Sequence, residues 1–282
     1  MFRSTVGRPL FLALVVAACA AASASVGPTA LPPTPVATTA PSTTPPPVQL
    51  TVYAAASLKG ALGTIKAAYE AANPGTTITV SLDSSSALAT KIEQGAPSDV
   101  FLSADTVSPQ RLIDGGFASG TAVVFAGNKL VIIVPTGNPG DVTTPADLVR
   151  SGLEIVAAGD TVPITAYATK LVDNLAALSG YPTDFAARYA ANVTSREENV
   201  KGIVAKIELG QGEAGIVYVT DARASTMVET VDIPDEANVP ATYAGVVVRA
   251  SANQAAAQAF LTWLTGGVGQ AILATFGFAP PA

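Results

Sequence analysis

Residues 50–82, LTVYAAASLKGALGTIKAAYEAANPGTTITVSL, hold one complete strand–helix–strand unit. Leu50–Ala54 alternates in the period of two that marks a short strand. After Ser57, the residues Leu58, Ala61, Leu62, Ile65, Ala68 and Tyr69 recur at helical spacing and form one apolar face. Asn73-Pro74-Gly75 stops that helix. Thr77–Leu82 is β-branched and alternating, so it reads as a second strand. Two strands joined by a helix of this length form a parallel pair with a right-handed crossover.

The same alternation continues outward. Ser85–Gln94 predicts a short helix stopped by Gly95, Val100–Ser103 a buried strand, and Pro109–Asp114 a helix ending at Gly115-Gly116. Asn128–Pro135 carries the apolar run Leu130-Val131-Ile132-Ile133-Val134, a buried strand. Thr144–Arg150 reads as helical and Glu154–Ala158 as a strand. Pro163 suits the first turn of a helix whose apolar face is Tyr167, Leu171, Val172 and Leu175. Ser195-Arg196-Glu197-Glu198 has the spacing of a capping box, which makes Ser195 the cap and the two glutamates helix-start carboxylates. Val200, Ile203, Val204 and Ile207 follow at i, i+3, i+4 and i+7. Gly215–Val219 and Thr242–Arg249 are strands, and Ala255–Leu264 is a closing helix. The prediction is an α/β fold of mostly parallel sheets flanked by helices.

The N-terminus precedes this folded part. Arg3 and Arg8 lead into an apolar run from Leu10 to Ala18, far shorter than the roughly 20 residues of a membrane span, so 1–18 reads as a signal peptide. Val16-Ala17-Ala18-Cys19 fits a bacterial lipobox, and Cys19 is the only cysteine of the chain. Lipidation at Cys19 accounts for its position and its solitude. The expected location is therefore the outer face of the cell membrane, held by a lipid anchor. Residues 19–49 are rich in Pro, Thr and Ala and have too few apolar side chains for a core, so they read as a tether.

Composition excludes several functions. The chain has a formal charge of −6, which becomes two units more negative when Arg3 and Arg8 leave with the leader. Such a chain is a poor nucleic-acid binder. It contains no His, which removes His-based acid–base chemistry and disfavours zinc and manganese sites. A serine hydrolase would need a base, and neither Ser-x-x-Lys nor Gly-x-Ser-x-Gly occurs. No Gly-x-x-x-x-Gly-Lys loop is present for nucleotide phosphates. The reading is a non-enzyme without a cofactor.

Four segments share one design. Ala54-Ala55-Ala56-Ser57, Ser84-Ser85-Ser86, Val162-Pro163-Ile164 and Glu197-Glu198-Asn199-Val200 each fall where a helix begins, and none carries Lys or Arg. A helix N-terminus has unpaired N–H groups and about half a positive charge. Several converging on one cleft hold an anion without a cationic side chain. In α/β sheets that convergence lies beyond the carboxyl ends of the strands.

At these residues the chain resembles the molybdate-binding receptors of bacterial ABC transporters, a family of periplasmic-type solute-binding proteins. The matching stretches are Val52-Tyr53-Ala54-Ala55-Ala56-Ser57-Leu58, Ser84-Ser85-Ser86-Ala87-Leu88-Ala89 and Gln94 through Asp105. Gly127-Asn128-Lys129-Leu130-Val131, Gly215 through Ala222 and Phe276-Gly277-Phe278 follow in order. The resemblance covers Leu50 to the end and implies a two-lobed, type II-like fold whose lobes close on the anion. Lobe 1 would be 50–127 with 244–282, and lobe 2 would be 128–243. Carried onto this chain, the ligand contacts are Ser57, Ser85, Ile164, Val200 and Tyr218. The two serines would each donate a hydroxyl and a backbone N–H, Ile164 and Val200 a backbone N–H alone, and Tyr218 its phenol. The family usually has a small residue and then Gly after Pro163, where this chain has Ile164-Thr165. That β-branched pair bears on the position of the amide and on the anion size admitted. The implied ligand is molybdate or tungstate, and the implied partners are a permease and its ATPase, with the receptor a monomer.

Molybdate, tungstate and sulfate are dianions whose oxygens only accept hydrogen bonds, and a site for them offers donors alone. None of the five residues is acidic, which argues against phosphate. Sulfate stays open as the ligand, because it shares charge and acceptor pattern. A surface lipoprotein that binds a macromolecular partner rather than a small anion is the alternative from another class. Asp99, Asp105 and Asp221 read as turn or strand-end structure.

Overall fold

The computed structural model describes residues 47–281. The expected signal peptide, Cys19 and the expected tether up to residue 46 lie outside the described residues. Ten strands and nine α-helices follow, in two five-stranded sheets.

The first sheet is built from β1 (Val48–Ala55), β2 (Thr76–Asp83), β3 (Val100–Ser103), β4 (Ala118–Asn128) and β10 (Ala241–Val248) in the order β2-β1-β3-β10-β4. The second is built from β5 (Leu130–Pro135), β6 (Ile155–Ala158), β7 (Val193–Glu197), β8 (Ala214–Tyr218) and β9 (Val228–Val231) in the order β7-β6-β8-β5-β9. The two orders correspond strand for strand. In each sheet one strand, β10 or β5, runs against the other four. The chain passes between sheets twice, at Lys129 and between Val231 and Ala241.

Helices fill the connections. A 3-10 turn (Ala56–Leu58) and α1 (Lys59–Ala72) follow β1, α2 (Ser85–Glu93) follows β2, and α3 (Val107–Asp114) follows β3. In the second half α4 (Pro163–Ala177) follows β6, with α5 (Phe185–Asn192) packed beside it. α6 (Val200–Glu208) follows β7, and α7 (Val219–Arg223) follows β8. α8 (Gln254–Thr265) and α9 (Gly267–Thr275) close the chain. The apolar faces account for the packing. On α1, Ala61, Leu62, Ile65 and Tyr69 are buried, and each large aliphatic contributes about 1.5–3 kcal/mol by leaving water. The Tyr69 ring meets Phe260 and Trp263 of α8 edge-on at 5.0 and 5.2 Å, the favoured aromatic geometry. β5 and β8 are buried along their whole length, as expected for sheet-centre strands covered on both faces. Gly215 of β8 lets α6 sit close, because a Cβ there would lie 2.6 Å from Ile203 Cγ2.

The structure departs from the sequence reading at several elements. β1 begins at Val48, inside the segment expected as tether. β4, β7 and β9 have no counterpart among the expected strands. β4 carries Gly120 and Gly127 and two register irregularities, so its alternation is broken. β7 and β9 are polar edge strands with few apolar residues to read. The expected capping box at Ser195 is absent, because Ser195 and Glu197 belong to β7. Asn199 is the cap of α6 instead, accepting hydrogen bonds from Lys201 N at 3.1 Å and Gly202 N at 3.3 Å. The Glu197 carboxylate is held by Ser195 Oγ and pairs with Lys206 Nζ at 2.7 Å, so it serves the β7–α6 contact rather than the helix start. Among the described residues no helix is long and apolar enough to cross a membrane.

Candidate functional site

Beyond the carboxyl ends of β1, β2 and β3 lie Ala55-Ala56-Ser57, Ser84-Ser85 and Ala104. Beyond the ends of β6, β7 and β8 lie Val162-Pro163-Ile164, Asn199-Val200 and Tyr218. These residues line a single cavity. Ser57, Ser85, Ile164, Val200 and Tyr218, the five positions marked in the sequence, are all on its wall. The space open to centres of water-sized atoms is about 10 Å³, about what one water molecule needs, so the walls stand close together. No Lys, Arg, Asp or Glu lines it.

The helices aim their first turns at this space. Ser85 is the first residue of α2, Ile164 the second of α4 and Val200 the first of α6. Amides at such positions have no partner within their helix. The caps are directed elsewhere: Ser84 Oγ accepts from Ala87 N, and Asn199 serves Lys201 and Gly202. Ser57 lies in the 3-10 turn before α1, and neither it nor Ser85 is a helix cap. Their hydroxyls are therefore free of that duty.

Ser84 Oγ shares a hydrogen bond with Ser86 Oγ at 3.4 Å, while the other three hydroxyls on the wall each have a proton left over. Ser85 Oγ accepts from Ala104 N at 3.0 Å. Ser57 Oγ accepts from the Tyr243 hydroxyl at 2.8 Å. A serine hydroxyl has one proton beside its acceptor positions, so both oxygens are engaged as acceptors and their protons are directed elsewhere. The Tyr218 hydroxyl is buried without any hydrogen-bond partner, and the residue is 1 % exposed. Burial, reinforced by nearby Tyr243, Tyr167, Asp221 and Asp105, pushes its phenol well above the ordinary value. It stays protonated, a neutral donor.

The departure from the family pattern is resolved in part by Thr165. Its hydroxyl donates to Gly159 O at 2.8 Å and Ala158 O at 3.2 Å, so it turns back onto the end of β6 and away from the cavity. Ile164 is buried and stands between the cavity and a second pocket along α4 and α5.

The carboxylates mark structure. Asp99 accepts from Thr51 N, Ser251 Oγ and Asn253 Nδ2. Asp105 accepts from Ser108 N at the start of α3. Asp221 is fully buried and lies 2.8 Å from Lys201 Nζ, though the angle is not that of a hydrogen bond. Separation rather than angle sets Coulomb attraction, and at 2.8 Å the two form an ion pair. Burial raises the Asp221 carboxyl against the opposing pull of Lys201. Lys201 follows Val200 on α6, and its charge is spent on this pair. Among the described residues no cluster of three His, Cys, Asp or Glu could hold a metal ion.

Residues 50–279 match the bacterial extracellular solute-binding protein family over most of the chain. The chain belongs to that family. One relative, the molybdate-binding protein ModA of Mycobacterium tuberculosis, is 35 % identical over 233 residues, covering 82 % of this chain and 85 % of its own. The periplasmic molybdate-binding protein of Azotobacter vinelandii has the same fold, with a TM-score of 0.69 at 23 % identity over 83 % of this chain and 100 % of its own. So does the sulfate-binding protein SubI of Mycobacterium tuberculosis, with a TM-score of 0.74 at 21 % identity over 83 % of this chain and 87 % of its own. The resemblance read from the sequence is borne out, as is the two-lobed α/β fold of these solute-binding proteins.

Sequence reasoning missed Asn199 on the cavity wall and Asn128, Thr220 and Tyr243 behind it. Asn199 was findable, since an Asn directly before the first apolar residue of a helix is a cap signal. Tyr243 was not, because nothing in a strand sequence says where an aromatic hydroxyl ends.

Proposed function

We propose that this solute-binding protein is the extracytoplasmic lipoprotein receptor of an ABC importer, that it captures molybdate, and that tungstate is bound in the same way. The observation that carries this reading is a cavity wall with three hydroxyl protons unclaimed by the protein and no carboxylate. Ser57 and Ser85 would each give a hydroxyl and a backbone N–H, Ile164 and Val200 a backbone N–H, and Tyr218 its phenol. Such a wall suits an anion whose oxygens only accept. The low-dielectric surroundings strengthen each donor, and the helix N-termini add positive potential without a mobile cation. The relative named for molybdate binding supports the choice of ligand.

In this reading 50–127 with 244–282 form lobe 1, and 128–243 form lobe 2. The anion enters between them, the two chain crossings act as the hinge, and closure buries it. The closed form then docks as a monomer on a permease driven by an ATPase. Cys19 carries the lipid, and the segment after it spans the distance to the membrane.

Calorimetric titration with molybdate, tungstate, sulfate and phosphate tests the proposal. Tight one-to-one binding of molybdate and tungstate with weak sulfate is the expected result. Preference for sulfate would retain the receptor and change its cargo. Replacing both Ser57 and Ser85 by Ala removes two donors to a charged acceptor, each worth about 1.5–3 kcal/mol. Unchanged molybdate affinity in that variant would refute the site.

A further inference from the structure

Tyr243 stands behind the cavity rather than on its wall. It lies in β10, fully buried, with its ring edge-on to Tyr218 at 5.7 Å, Phe125 at 6.1 Å and Phe278 at 5.4 Å. A phenylalanine would fill this space equally well and would avoid burying a hydroxyl. The hydroxyl has a specific use: it donates to Ser57 Oγ at 2.8 Å. Asn128 Nδ2 approaches the Tyr243 oxygen at 3.4 Å from the other side and donates to Thr220 Oγ1 at 2.9 Å. Asn128 ends β4 of the first sheet and Thr220 lies in α7, which follows β8 of the second, so the network joins elements of both halves.

Hydroxyl arithmetic then fixes the direction at Ser57. The Tyr243 proton is committed to Ser57 Oγ, and the Asn128 amide supports that orientation by donating to the Tyr243 oxygen. Ser57 accepts on its protein side, so its single proton is the one left for a ligand. We infer that Tyr243 is a positioning residue that holds Ser57 as an obligate hydrogen-bond donor, and that it thereby sets the preference of the site for oxyanions carrying no proton. This inference deepens the oxyanion reading and rests on it. Without the Tyr243 hydroxyl, Ser57 is free to rotate and accept a hydrogen bond from a protonated anion.

A double-mutant cycle separates this role from packing. In the mature protein, Tyr243→Phe is expected to lower molybdate affinity about five- to tenfold, the effect of misdirecting one hydrogen bond. In a Ser57→Ala background the same change is expected to cost less than about twofold, because the group through which it acts is gone. Tyr243→Phe should also narrow the preference for molybdate over phosphate at pH 6, where phosphate retains protons. Equal losses in both backgrounds, or an unchanged preference, would overturn the inference while leaving the receptor intact. Wild-type protein that binds no oxyanion would overturn the receptor reading itself. Should Tyr243→Phe fail to fold, the Tyr243 hydroxyl proton can be followed by NMR in the wild type. It is expected to hold its resonance when molybdate is added, and a shift that places it on the anion would overturn the assignment.

Discussion

Tyr218 is a residue the fold treats badly and the proposed function uses. Its hydroxyl is buried with no hydrogen-bond partner from the protein. Such a group costs about 1–3 kcal/mol relative to one that is satisfied. Tyr218→Phe should therefore stabilise the ligand-free protein by about 1 kcal/mol, raising its melting temperature by roughly 2–4 °C. The same change should weaken molybdate binding at least tenfold, since a donor to a charged acceptor is lost. Thermal melts and titrations of one variant check both halves, and a variant that is less stable and binds normally would contradict the assignment. The position of Tyr218 was legible in Gly215-Ile216-Val217-Tyr218-Val219-Thr220-Asp221, but its orphaned hydroxyl was not. That status depends on which atoms fail to reach it from Tyr167 and Tyr243, residues far away in the sequence.

At the level of elements, the site is an arrangement of helix starts on strand ends. This was readable because apolar periodicity and turn residues lie close together in sequence: the starts of α2, α4 and α6 could each be placed from a Ser, a Pro or an apolar repeat. What misled was the cap of α6. Ser195 and Glu198 have the spacing of a capping box, yet β7 extends through Glu197 because it pairs with β6, a partner that local sequence does not reveal. The Glu197 carboxylate consequently faces Lys206. Burial pushes its pKa up, but hydrogen bonds from Lys206 and Ser195 and the Lys206 charge outweigh this and hold it below the ordinary 4.5. A carboxyl lowered on folding contributes stability that is complete above its unfolded value and is lost as pH falls through the folded one. Glu197→Gln should thus cost about 1 kcal/mol at pH 7. The gap between wild type and variant should close as the solution is acidified below the ordinary glutamate range. Urea melts at neutral and acid pH measure it, and a gap of constant size would mean that Glu197 acts through shape rather than charge.

For the whole molecule, the matching strand orders of the two sheets have a consequence for binding. Three strand ends from each sheet supply the cavity wall, so neither half carries all five of the proposed donors. Ser57 and Ser85 come from the first sheet's side, while Ile164, Val200 and Tyr218 come from the second. An anion that needs all five couples the halves, and its binding energy resists their separation as well as their unfolding. At a hundredfold excess over the dissociation constant, a ligand of the native state adds about 2.7 kcal/mol. That increment should appear as slower hydrogen exchange, and its distribution is diagnostic. Amides in the first turns of α2 and α6 should gain protection together on adding molybdate, although they belong to different sheets. The two chain crossings, at Lys129 and between Val231 and Ala241, should become protected with them. Protection confined to α2 and its neighbours would describe an anion held by one half with the other standing open. In that case Tyr218, whose hydroxyl needs a partner from across the cleft, would have to remain unsatisfied in the complex.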